Sequence, residues 1–100
     1  PGDPALPATS GLDANYPNPF NPSTTIPYRL ASPGDISLSV YNILGQPVGF
    51  LWEGFREAGY HRSEWNAAGL PAGVYFVTLE ITDAHSRTPM RERSKLLLLK

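Results

Sequence analysis

From Thr24 onward the chain alternates apolar and polar positions with a period of two. Thr24, Ile26, Tyr28 and Leu30 fall on one side, and Thr25, Pro27 and Arg29 on the other. That pattern predicts a half-buried strand. Pro27 has no backbone N–H, which places this strand at an edge or a bulge. Ser32-Pro33-Gly34 reads as a turn. Ile36, Leu38 and Val40 then alternate with Ser37, Ser39 and Tyr41, the cleanest strand signal in the chain. A glycine turn over Asn42–Pro47 leads to a third strand, Val48–Glu53, where Gly49 interrupts the alternation and predicts a bulge. Gly54–Gly59 reads as a loop. Tyr60–Asn66 alternates again, with His61, Ser63 and Trp65 opposed to Tyr60, Arg62 and Glu64. Ala67–Gly73 is a second loop, and Val74–Thr82 is a long β-branched and aromatic strand. Asp83–Pro89 turns into a closing strand over about Arg91–Leu99. The continuous run Leu96–Leu99 predicts that this strand is buried on both faces.

Six or seven short strands with turns every 8–12 residues predict an all-β fold, an immunoglobulin-like antiparallel β-sandwich of about seven strands. Ile26, Leu38, Val40, Trp65, Tyr75 and Leu79 are expected in its core. Leu70-Pro71 ahead of Tyr75 suggests a tyrosine corner, in which the tyrosine hydroxyl bonds back to nearby backbone. Gly73, between a loop and a long strand, fits a positive φ or a close backbone approach. Residues 1–14 hold three prolines and no periodicity, and read as a linker from an upstream domain. The sandwich is expected to run over residues 15–100. Its opening segment, Asn15–Pro22, reads as a rigid surface turn anchored by Tyr16 and Phe20.

A length of 100 residues predicts one domain with a modest core. The net charge of −1 argues against nucleic acid as a partner, which calls for clustered Lys and Arg. Cysteine is absent, which excludes disulfides and thiolate chemistry. The longest apolar run falls far short of a membrane-spanning helix. A start at Pro1 suggests a fragment, with any signal peptide far upstream.

Candidate chemistry is sparse. His85 lies in a polar turn and reads as solvated. His61 shares a strand face with Trp65 and reads as a packed, hydrogen-bonded histidine beside that ring. A lone histidine without a carboxylate partner is rarely catalytic. Asp3, Asp13, Asp35 and Asp83 match no calcium-loop spacing, and no nucleotide-binding or zinc-protease motif is present. Trp52, Phe55 and Tyr60 flank one loop and suggest either a sugar-stacking platform or rim packing. No catalytic residue, metal, cofactor or small-molecule substrate is expected.

Three segments in order carry a resemblance. Asn15-Tyr-Pro-Asn-Pro-Phe-Asn-Pro22 opens the domain. Gly59, His61 and Trp65 make a Gly-x-His-x-x-x-Trp stretch, followed by Gly73-Val-Tyr75-Phe. Lys95, Leu98 and Lys100 belong to a closing strand ending in lysine. Together they resemble the C-terminal sorting domains of type IX secretion, found in the Bacteroidetes and their relatives. The sequence departs from the pattern at Ser63, at Leu96 and in a longer, more polar Thr82–Arg93 stretch. The resemblance implies a non-catalytic sorting signal that directs an upstream cargo domain, through the periplasm, across the outer membrane to the medium or the cell surface. It implies the outer-membrane translocon and a sortase-like peptidase as partners. It marks Gly59, His61, Trp65, Gly73, Tyr75, Lys95, Leu98 and Lys100 as sorting-motif residues. The rival readings are a carbohydrate-binding module and a passive Ig-like spacer of a secreted enzyme.

Overall fold

A computed structural model of the chain describes residues 6–82 and 89–99. Asp3, Asp83, His85 and Lys100 lie outside the described residues. Seven strands form in order: β1 (Gly11–Leu12), β2 (Ser23–Leu30), β3 (Gly34–Tyr41), β4 (Pro47–Arg56), β5 (Gly59–Asn66), β6 (Gly73–Thr82) and β7 (Met90–Leu98). They build a three-stranded sheet, β1-β2-β5, and a four-stranded sheet, β4-β3-β6-β7. All pairs within both sheets are antiparallel. The fold is an all-β sandwich, and the alternation of the sequence explains it. Ile26, Tyr28 and Leu30 of β2 meet Ile36, Leu38 and Val40 of β3, Val77, Leu79 and Ile81 of β6, and Leu96 and Leu98 of β7 in one buried cluster. Every residue expected in the core is buried, including Trp65 and Tyr75.

The edge or bulge expected from Pro27 is not found: β2 is the central strand of its sheet, between β1 and β5, and pairs with β5 through Pro27 without a register shift. Pro27 instead limits the pairing on the β1 side. Its carbonyl accepts from Asp13 N at 2.9 Å, so its nitrogen, which has no hydrogen, faces the same side. The ladder to β1 therefore loses a bond there, and β1 pairs only Gly11 with Arg29 and Leu12 with Tyr28. The sequence reading starts the sandwich at Asn15; the sheet begins at Gly11. The Arg29–Asp13 ion pair, a 2.8 Å bond from Ala31 N to Ser10 Oγ and a 2.7 Å bond from Leu12 N to Glu92 Oε1 fasten this stretch. None of these contacts has a local sequence signal.

Three more differences have physical reasons. Gly54–Gly59 is not a loop: β4 continues along Ile36 and Gly34 to Arg56, leaving only two residues before β5 begins. Pairing with β3 overrides the lost alternation. The bulge expected at Gly49 is doubled, because Leu51 and Val48 have no opposite residue while Gly49 pairs with Val40 between them. The closing strand is not buried on both faces. Leu96 and Leu98 point into the core, Leu97 is half-buried and Leu99 is exposed. β7 turns one face to the core and the other to the outside of the two-sheet sandwich, so alternate residues meet solvent.

Candidate functional site

Six of the eight residues marked by the sequence gather in two places at opposite ends of the sandwich. At the first, Trp65 lies between Phe20 and Tyr75, with ring centroids 5.7 Å and 5.5 Å away. All three rings are buried. Gly73 pairs with Leu98, and Tyr75 with Leu96, so the Gly-Val-Tyr start of β6 is zipped to the end of β7. The tyrosine corner is formed, with Tyr75 Oη donating to Pro71 O at 2.6 Å. Gly73 adopts φ +143°, a region only glycine enters easily. Gly49 allows a close approach, since a Cβ there would lie 2.8 Å from Trp65 Nε1.

The opening segment closes this end. Phe20 N donates to Leu97 O at 2.9 Å, Leu99 N donates to Phe20 O at 2.8 Å, and Leu97 N donates to Asn18 Oδ1 at 3.2 Å. The first and last motifs of the chain are thus hydrogen-bonded to each other. Phe20 is one of the expected anchors, but Tyr16 is not, being 52% exposed. Tyr16 is held by backbone bonds to Thr25. The second buried anchor is Asn15, whose Nδ2 donates to Thr24 Oγ1 at 3.0 Å, while that hydroxyl donates to Pro17 O at 3.0 Å.

The second place surrounds His61. It is not beside Trp65, which lies four residues along the strand, roughly 13 Å away. Its neighbour is Tyr28, directly opposite on β2, with ring centroids 5.4 Å apart. Glu57 O takes a hydrogen bond from Nε2 at 2.8 Å, and Arg56 Nη1 donates to Nδ1 at 3.3 Å. A carbonyl only accepts and a guanidinium only donates, so these partners set the tautomer. Arg56 also covers the Trp52 ring at 3.8 Å, which closes one ring face to a sugar. Phe55 and Tyr60 are exposed. Among the described residues, Tyr28 Oη, Trp52 Nε1 and Arg56 Nε are buried without a hydrogen-bond partner. Burial pushes the Tyr28 hydroxyl above its ordinary range, and Arg56 and Ser63 offset part of this. Gly59 begins the same strand, opposite Leu30.

Lys95 belongs to neither place. It is exposed on the outer face of the four-stranded sheet, opposite Phe76. Arg93 sits beside it with its guanidinium 5.1 Å from the Phe76 ring, and Arg91 Nε donates to Glu80 Oε2 at 2.9 Å. The small side chains of Ser37, Ser39 and Thr78 leave a groove of about 640 Å³ across this face. Among the described residues, no three His, Asp or Glu side chains come together as a metal site needs.

A family model described as "Secretion system C-terminal sorting domain" matches residues 14–88. The chain belongs to this family, the C-terminal sorting domains of type IX secretion. No curated protein and no solved structure matches it. The sorting domain is therefore part of a secreted or cell-surface protein. The match runs from the opening segment through β6 and ends before β7. Lys95, Leu98 and Lys100 lie beyond it.

Within the sorting domain, Trp65, Gly73, Tyr75 and Leu98 form one constellation, Gly59 and His61 another, and Lys95 stands apart. Sequence reasoning missed Asn15, Asn18 and Phe20 as the staple on β7, and Tyr28 and Arg56 as the neighbours of His61. The staple had a signal: polar and aromatic residues inserted among prolines that no strand can use. The neighbours of His61 had none, because cross-strand register brings them together.

Proposed function

We propose that this sandwich is the non-catalytic export signal of a longer protein. It directs the cargo domain ahead of residues 1–14 from the periplasm across the outer membrane. The outer-membrane translocon reads the folded domain, and a sortase-like peptidase then removes it. The observation that carries this reading is the family match over residues 14–88. The division of labour among the motif residues supports it. Trp65, Gly73, Tyr75 and Leu98 shape the fold, whereas Lys95 is exposed and free to be read. Lys100 acts with Lys95 in this proposal.

The test is a reporter fused ahead of the whole chain in a type IX-competent bacterium, followed by fractionation. The full domain delivers the reporter to the surface or the medium. Removing residues 15–100 leaves it in the periplasm; full delivery without them ends the sorting reading. Lys95→Ala combined with Lys100→Ala lowers delivery, while the melt moves by no more than about 0.5 kcal/mol, as for exposed side chains generally. Undiminished delivery of that double variant moves recognition away from the two lysines.

A further inference from the structure

We propose that the export machinery reads this domain by strand addition. An extended segment of the partner, with carboxylates at alternate positions, pairs along the free edge of β7 between Arg91 and Lys95. This inference rests on the sorting reading above and adds the recognition surface and its chemistry.

The argument starts from hydrogen-bond parity. Leu97 O and Leu99 N bond to Phe20, on the side of β7 away from β6. Backbone groups alternate sides along a strand, so Arg91, Arg93 and Lys95 turn their N–H and C=O to the same outer edge. Among the described residues, no backbone group pairs with them there. The stretch is bounded at its C-terminal end. Asn18 and Phe20 occupy the edge at Leu97–Leu99, while within the stretch Glu92 turns its carboxylate to Leu12 N, so that β1 lies alongside it on the core side. What remains is an open window of roughly 14 Å, enough for a partner strand of about five residues.

The other edges are less suited. β1 is two residues long, and β4 is broken by bulges at Leu51 and Val48. β5 is regular, but its outward-turned residues include Arg62 and Glu64, of opposite charge. β7 pairs with β6 from Met90 to Leu98 without a register shift, and its outward side chains over the window are all cationic. Arg91 is bound to Glu80, and Arg93 lies over Phe76. Among the described residues neither Arg93 nor Lys95 has a carboxylate partner. A strand added here places alternate side chains directly beside them, where opposite charges attract and like charges repel. Backbone pairing supplies affinity and the alternate side chains supply selectivity. Cations on an edge also guard against self-pairing, and the test separates that role from recognition.

Arg93→Pro and Lys95→Pro remove outward N–H groups and leave the bonds to β6 intact, since proline is tolerated on the solvent side of an edge strand. In the reporter fusion, each variant is expected to lower surface delivery roughly fivefold or more, the size of one lost hydrogen bond. Arg93→Thr keeps the N–H and a strand-forming side chain, and is expected to deliver more than Arg93→Pro. Melts of the purified variants accompany the assay. Undiminished delivery by a proline variant with an unchanged melt overturns strand addition. Where a proline variant melts early, Arg93→Glu with Lys95→Glu decides: it keeps every N–H, and strand addition by an acidic segment predicts a loss of delivery at least as large. Unchanged delivery of that charge reversal, or self-association as its sole effect, overturns the proposal. The sorting reading survives either result as long as deletion of residues 15–100 still blocks export.

Discussion

The two ends of the sandwich are closed in different ways. At the Trp65 end, three buried rings pack in a row, tilted and edge-on to one another, and the backbone of the opening segment bonds to β7. Its one buried phenol, Tyr75, has its partner in Pro71 O. At the His61 end, a guanidinium, an imidazole, a phenol and an indole share the space between β4, β5 and β2, and three polar atoms among them lack partners. The first arrangement is held by apolar burial and satisfied bonds. The second sets polar desolvation against stacking. The difference teaches where this domain keeps its stability: in the junction of its first, middle and last motifs, not around its histidine.

The largest effect is expected from truncating that junction. Trp65→Ala and Phe20→Ala should each lower the unfolding free energy by about 3–5 kcal/mol, as buried aromatic truncations do. His61→Ala, at a half-buried site, should have a much smaller effect. Urea denaturation of the three variants ranks the two ends. Equal midpoints for Trp65→Ala and His61→Ala would erase the contrast.

Gly73 is the backbone side of the same junction. Its φ of +143° suits glycine, and a Cβ at this position would meet no heavy atom within 4 Å other than its chain neighbours. Strain and not crowding therefore sets the effect of Gly73→Val, expected at about 1–3 kcal/mol. Gly73→Ala should lose nearly as much, since any Cβ meets the same backbone preference. A loss confined to valine would point to crowding instead.

The sequence carried much of this. Period-two alternation located β2, β3, β5 and β6 to within a residue or two, because each buries one face and exposes the other. Tyr75 and Gly73 were legible because turn chemistry is local. β1 was not, since Gly11-Leu12 forms a strand only through Arg29 and Tyr28. The surroundings of His61 were not, since Tyr28, Arg56 and Glu57 reach it through the pairing of β2 with β5 and the short passage from β4. The role of Phe20 was half legible: its burial was expected, but not that its backbone bonds to β7.

Hydroxyl removal sharpens the comparison further. Tyr75→Phe takes away a bond to Pro71 O and should lower stability by about 1 kcal/mol, the usual net value of one hydrogen bond. Thermal or urea unfolding measures it directly. No loss would mean that the corner contributes through packing of the ring alone.

Tyr28→Phe is the counterpart at the other end, and its effect at neutral pH should be the smallest. The hydroxyl is buried with no partner in hydrogen-bonding geometry among the described residues, and the nearby Arg56 and Ser63 offset only part of its burial, so removing it discards more desolvation penalty than polar contact. Stability should equal that of the parent or exceed it by up to about 1 kcal/mol. The pH dependence gives the sign a second check. Burial raises the pKa of Tyr28 in the folded domain above the 10.0 of an unperturbed tyrosine. Below about pH 10 the phenol is neutral in both folded and unfolded chains, and its contribution does not change with pH. Above that, the unfolded chain loses the proton first, which favours unfolding until the folded-state pKa is passed. The parent should therefore lose stability faster than Tyr28→Phe as the pH rises past 10, and the gap between their urea midpoints should widen. The other tyrosines are common to both proteins and drop out of the difference. A gap that stays constant from pH 7 to pH 11 would show that the Tyr28 hydroxyl is solvated in the folded domain, and the contrast between the two ends would then rest on the aromatic junction alone.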